Sequence, residues 1–222
     1  MSRRAVLLDA LGTLVELQPP APRLRRLLAE TGFQVDEERA GAGFGAEIAY
    51  YLEHHLEGSD PVALDDLRDR CADALRAGLA LPELDHGTAR SVMLAALEFT
   101  PFPDAAPALR RLRDDGHVLV VVSNWDCSLP EWLRPTGLLE LVDEVVSSAV
   151  VGAAKPDPAP FRRALELAGV GPEDALHVGD SPENDLAGAR AAGVRAVLVD
   201  RGGSQPPEIP TVRSLADLVS LV

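Results

Sequence analysis

The sequence predicts an α/β protein built on a doubly wound parallel sheet, with an all-helical segment inserted after the first strand. Three observations lead there. Short apolar or β-branched runs recur in the second half of the chain, at Val118–Val122, Glu144–Ser148, Ala175–Val178 and Ala196–Val199. Between them lie helix-like stretches, and Asp104–Asp115, Pro160–Ala168 and Asp185–Ala192 each run into a glycine stop, at Gly116, Gly169 and Gly193. A long segment from about Gln18 to Glu98 breaks this alternation and carries no strand-like run.

The first strand is the run Val6-Leu7-Leu8, continuous in apolar residues as a strand buried on both faces should be. It ends at Asp9, ahead of a glycine turn, Ala10-Leu11-Gly12-Thr13. Pro19, Pro20 and Pro22 mark entry into the inserted segment, whose amphipathic stretches are Ala21–Glu30, Ala46–Leu56, Pro61–Ala80 and Thr88–Leu97. Thr100-Pro101-Phe102-Pro103 marks its exit. Residues 1–17 and 99–222 are therefore expected to form the α/β core, and 18–98 the helical insertion. After the last strand, Gly202–Pro210 reads as loop and Ser214–Leu221 as a final helix. No internal repeat is visible.

With 222 residues, 46% of them hydrophobic and 25% charged, the chain has the composition of an ordinary soluble protein. Its net charge of −14 argues against nucleic acid or an anionic membrane as partner, since both call for basic surface. A phosphorylated small molecule stays possible if a cation and local donors neutralise it. Cys71 and Cys127 are the only cysteines and form no CxxC pair, which fits a reducing cytosol. Arg3-Arg4 followed by Ala5–Leu8 superficially resembles a signal peptide, but Asp9 interrupts it. No apolar run is long enough for a membrane span. The expectation is a cytoplasmic protein with a small-molecule substrate, its oligomeric state left open.

Four polar elements each follow a predicted strand: Asp9-Ala10-Leu11-Gly12-Thr13, Ser123-Asn124, Lys155-Pro156-Asp157-Pro158 and Gly179-Asp180-Ser181-Pro182-Glu183-Asn184-Asp185. In a parallel sheet the carboxyl ends of the strands share one edge, where ligands bind, so these distant segments can converge. Singly, each has a plain structural reading. A strand-end Asp caps a helix, a Lys before proline is a solvated loop residue, and Ser-Asn is good turn chemistry. Their joint occurrence, in this order, favours a site.

That ordered set, Asp9, Ser123, Lys155 and Asp180/Asp185, resembles the haloacid dehalogenase-like hydrolases with a helical cap, and the likeness covers nearly the whole chain. The stretches Gly152-Ala153-Ala154-Lys155-Pro156-Asp157-Pro158 and His177-Val178-Gly179-Asp180-Ser181 resemble its phosphatase-like members. The resemblance implies a Rossmann-like core with 18–98 as the cap. It implies Asp9 as nucleophile, forming an acyl-phosphate that divides one hard step into two easier ones. Lys155 would hold the phosphoryl group or shield Asp9, and Ser123, Asn124 and Thr13 would bind phosphate. Mg²⁺ would be held by Asp9, Asp180, Asp185 and the backbone carbonyl of Leu11, oxygen ligands that suit this ion.

Leu11 departs from the pattern. Most phosphatases of the family carry a second Asp there, which protonates the leaving alkoxide and later activates water. Such help is worth roughly 10²–10⁴-fold. Asp126 and Glu16 are the nearby carboxylates able to replace it. The family's 2-haloacid dehalogenases also have an uncharged residue at this point, so dehalogenation is the alternative reading. Against it, dehalogenases place a Ser-Asn type sequence where this chain has Gly179-Asp180. They also use a cap arginine, and Ala40–Leu67 contains none. A third reading is a catalytically weak phospho-ligand-binding domain. His54-His55 diverge by about 100° on a helix and do not make a shared metal site. Cys127 has no nucleophile pattern around it, and Trp125 either lines the pocket or packs beneath it.

Overall fold

The structure is a computed structural model describing residues 4–206 and 208–221. It divides into two compact units, one holding the chain up to Glu16 and again from Thr100, the other Leu17–Phe99.

The strands are β1 (Ala5–Leu8), β2 (Val15–Leu17), β3 (Phe99–Pro101), β4 (Val118–Ser123), β5 (Glu144–Ser147), β6 (Ala175–Gly179), β7 (Arg195–Val199) and β8 (Thr211–Val212). Six of them form one sheet in the order β5-β4-β1-β6-β7-β8, every pairing parallel. The register aligns Leu8 with Val121 on one side and with Val178 on the other, so three strands end together around Asp9. All residues of β1, β4 and β6 are buried, as strands covered on both faces must be.

The helices of this unit are short. One face of the sheet packs Leu7, Val120, Val122 and Val146 against Phe161, Ala164 and Ala168 of the helix Ala159–Ala168. Phe161 is fully buried and alone contributes on the order of 2–3 kcal/mol through burial. The helix Ala105–Asp114 buries Ala108, Leu109 and Leu112. Shorter turns occupy Leu129–Leu133, Ser148–Val151 and Gly188–Ala191.

The helical unit contains α1 (Pro20–Glu30), α2 (Glu37–His54), α3 (Pro61–Leu79) and α4 (His86–Ala96). Asp36, Asp60 and Asp85 cap the last three, each accepting backbone N–H groups of the first turn. A Cβ on Gly78 of α3 would lie 2.7 Å from the Ala42 carbonyl and 2.9 Å from the Gly43 Cα of α2, so the two backbones touch.

Several elements differ from the sequence expectation. The helix expected at Ala46–Leu56 begins at Glu37 instead, because Asp36 caps it and Gly43 packs against Leu79 of α3, while the exposed Gly41 and Gly45 do not end it. The helix expected from Asp185 begins with a wide π-turn at Pro182–Ala187, started by Ser181, whose hydroxyl accepts from Asn184. Ser214–Leu221 is a 3₁₀ segment, Leu215–Ser220, opened by a capping box at Ser214. The two linker segments, β2 and β3, pair as a small sheet of their own. None of the described helices is long and apolar enough to cross a membrane.

Candidate active site

The sheet's parallel register brings the four motif elements to one edge. Asp9 extends β1, its N–H donating to the Val178 carbonyl at 2.8 Å, and its carboxylate is buried, with 5% exposure. Ser123 closes β4 and donates its hydroxyl to Asp9 Oδ1 at 3.0 Å. Lys155 comes from the loop before Ala159–Ala168, and the Asn124 amide docks that loop. Asn124 Nδ2 donates to the Lys155 carbonyl at 2.9 Å, and the Lys155 N–H donates to Asn124 Oδ1 at 2.7 Å. In this structure Asn124 thus positions Lys155, and Ser123 faces Asp9.

The Lys155 ammonium is 4% exposed at residue level and spends all three N–H bonds. It donates to Asp9 Oδ1 and Asp185 Oδ1, both at 2.6 Å, and to the Val122 carbonyl at 3.0 Å. Burial alone lowers a lysine's pKa, but Asp9 and Asp185 outweigh it and the net shift is upward. Burial pushes the Asp9 carboxyl up to about 6; Lys155 opposes that rise, and the charges of Asp185 and Asp180 add to it.

Asp185 accepts four hydrogen bonds. Its Oδ1 takes Lys155 and His177 Nε2 (2.9 Å), and its Oδ2 takes the N–H groups of Asp180 (3.1 Å) and Ser181 (2.9 Å). Burial works to raise its pKa, but the His177 hydrogen bond and the Lys155 charge carry it well below the usual carboxylate range. A Cβ on Gly179 would lie 2.1 Å from the Asp185 carboxyl carbon, so only glycine leaves room for this carboxylate. Asp180 lies against the Asp9–Thr13 loop, where a Cβ on Gly12, whose φ is +85°, would come within 2.1 Å of Asp180 Oδ2. Its carboxyl is raised by burial and by Asp185.

Asp9, Asp180 and Asp185 each offer a carboxylate oxygen within 4.8 Å of one another. Three carboxylates facing one ammonium make an all-oxygen, electron-rich set that fits a hard divalent cation. Asp185 has its lone pairs engaged by four donors, whereas Asp180 has no such network among the described residues. Thr13 is fully buried and its Oγ1 has no hydrogen-bond partner among the described residues.

The other singled-out residues take other places. Leu11 is 43% exposed on the loop beside Asp9. Asp126 is buried and holds the Ser128 N–H at 2.7 Å and its hydroxyl at 2.5 Å, while Glu16 is exposed on β2. Trp125 is buried, its backbone bound to Ser148, and Cys127 is half-buried in a groove beside β5. His54 and His55 turn their Nδ1 atoms to the carbonyls of Tyr50 and Leu52 of α2. Sequence reasoning missed His177, fully buried beneath Phe161 with Nε2 on Asp185. A histidine inside an apolar strand was the available signal.

A strand-end aspartate is thus bridged by a buried lysine to a second carboxylate, with a third beside it, in the manner of a hydrolase site at a parallel sheet edge. The chain belongs to the haloacid dehalogenase-like hydrolases, a family it matches over residues 3–193. It is 40% identical over 164 residues to a phosphoserine phosphatase of Thermus thermophilus, an alignment taking in 72% of this chain and 66% of that one. The chain spans only 40–66% of the length of that relative and of a bovine haloacid dehalogenase-like hydrolase domain-containing protein 3. Among solved structures, an HAD phosphatase of Thermococcus onnurineus is 25% identical with a TM-score of 0.68, covering 98% of this chain and 97% of that one. An L-2-haloacid dehalogenase of Xanthobacter autotrophicus is also 25% identical, with a TM-score of 0.71, covering 99% and 98%.

Proposed function

We propose that the chain is a Mg²⁺-dependent phosphatase acting on a small phosphorylated metabolite through an aspartyl-phosphate on Asp9. In this reading residues 1–17 and 99–222 are the catalytic core, and 18–98 the cap that selects the substrate. The observation that carries it is the third carboxylate. Asp9 and Lys155 would serve halide displacement equally well, but Asp180, set against Gly12 beside Asp9, completes an oxygen set suited to a cation that meets a phosphate dianion.

The Asp9 carboxylate attacks phosphorus, forming an O–P bond as the ester P–O bond breaks and the alcohol leaves with the electron pair. Water then cleaves the acyl-phosphate, returning Asp9 and releasing inorganic phosphate. Lys155 and Ser123 both hold Asp9 Oδ1, which fixes the carboxylate plane for attack. The Thr13 hydroxyl, unpartnered and buried, donates to a phosphate oxygen. Asp9, Asp180 and the Leu11 carbonyl would hold Mg²⁺, with Asp185 orienting them. Bound there, the ion supplies neutralisation of the phosphoryl charge.

Leu11 offers no proton to the leaving group, and the nearby Asp126 is spent on Ser128. Turnover is therefore best on esters whose alcohol leaves readily, such as aryl phosphates. The neutral side chain at Leu11 also favours 2-haloacid dehalogenation as the second reading, since a halide leaves without a proton. Aryl phosphate hydrolysis with Mg²⁺ is the direct test. Asp9→Asn should abolish it, a loss of at least about 10³-fold; an active Asp9→Asn protein would remove Asp9 from the mechanism.

A further inference from the structure

We infer that Arg201, just beyond β7, is a positioning residue for the nucleophile loop. Its guanidinium makes three contacts that no sequence motif announces. Nη2 donates to the Thr13 carbonyl at 3.1 Å, Nη1 to Asp104 Oδ2 at 2.8 Å, and the plane lies 3.9 Å over the Phe102 ring. Both partners on the far side are themselves fixed. Asp104 Oδ2 also accepts the Ser214 hydroxyl at 2.7 Å and the Leu215 N–H at 2.9 Å, and the Phe102 N–H donates to the Leu14 carbonyl at 3.0 Å. The turn that follows Arg201 is fixed by its neighbour Asp200, whose carboxylate takes the N–H groups of Gly203, Ser204 and Gln205.

The nucleophile loop needs such a tie. Between Asp9 and Val15 it turns on Gly12 at φ +85°, a residue with no side chain to anchor it, and on three N–H groups sharing the Ala10 carbonyl. Phe102 and Arg201 grip the successive carbonyls of Leu14 and Thr13, so the segment that returns the chain from the helical unit clamps the loop carrying Asp9. A guanidinium suits the task, because its planar fork serves a carbonyl and a carboxylate at once while its face stacks on an aromatic ring. Lysine can keep one of these contacts, glutamine keeps neither the charge nor the stack.

The test has two readouts, because the kinetic one rests on the phosphatase reading. In Arg201→Gln, amide exchange at Gly12, Thr13 and Leu14 should quicken about tenfold while β4 is unchanged. With Mg²⁺ and an aryl phosphate, kcat should fall about tenfold with KM held within about twofold, and Arg201→Lys should restore part of it. Asp104→Asn combined with Arg201→Gln should add little to either effect, since both act through one knot. Unchanged loop exchange in Arg201→Gln overturns the proposal, as does a loosened loop with undiminished kcat. If Arg201→Gln does not fold, Arg201→Lys carries the same criteria at smaller amplitude. Faster loop exchange in a chain whose wild type releases no phosphate upholds the positioning role and refutes the phosphatase reading.

Discussion

A lysine survives in a protein interior only when its charge is answered, and Lys155 is answered by two carboxylates and a carbonyl. The same bonds stretch from residue 155 back to Asp9 and on to Asp185, so one side chain sets the spacing of the whole site. Leu11 is the residue where the site lacks something. Leu11→Asp should raise kcat toward alkyl phosphates, whose alkoxides leave poorly, by up to about 10²–10⁴-fold, with a smaller gain on aryl phosphates. Steady-state kinetics across leaving groups checks it, and equal gain on both would place proton transfer elsewhere. Asp9, Ser123, Lys155 and Asp180 were legible as site candidates because each follows a strand run. The saturation of Asp185 was not, since it depends on a π-turn that folds the carboxylate back onto the N–H groups of Asp180 and Ser181. Nor was Arg201, whose partner Thr13 lies 188 residues away.

Among elements, α2 and α3 show how packing overrides local propensity. Their three-glycine stretch in α2 looks like a poor helix, yet Gly43 and Gly78 let the two backbones meet. Gly78→Ala, a gain in helix propensity, should nonetheless destabilise by about 1–3 kcal/mol in urea unfolding, because the new methyl meets the Ala42 carbonyl. Stabilisation would mean the helices are not in backbone contact. Glu47 of α2 is buried in this unit, and burial pushes its carboxyl up to about 7 against the opposing hydrogen bond of the Cys71 thiol. Because the folded-state pKa lies above the unfolded value of 4.5, the folded form binds the proton more tightly. Its contribution is complete below the unfolded pKa and is lost as pH rises through about 7, up to about 3 kcal/mol. Glu47→Gln should flatten that decline and raise the Tm at pH 8 by roughly 5 °C. Identical pH profiles for Glu47→Gln and wild type would show that Glu47 does not carry the effect.

For the molecule as a whole, the alternation of apolar runs with glycine-stopped helices was enough to read the parallel sheet. Its central strands are buried on both faces and so leave an unbroken hydrophobic signature. The signal fails for β2, β3 and β8, two or three residues each, which exist only through their partners. The register then does what no single motif can, bringing residues 9, 123, 155 and 180 to one sheet edge. In the proposed function Asp9 breaks a phosphoester bond. The most direct measurement sets an aryl phosphate and a 2-haloacid side by side, each with Mg²⁺ and with a chelator, and follows phosphate and halide release. Phosphate release that requires Mg²⁺, with no halide release, is the expected result. Halide release that persists in the chelator, without phosphate release, would contradict it.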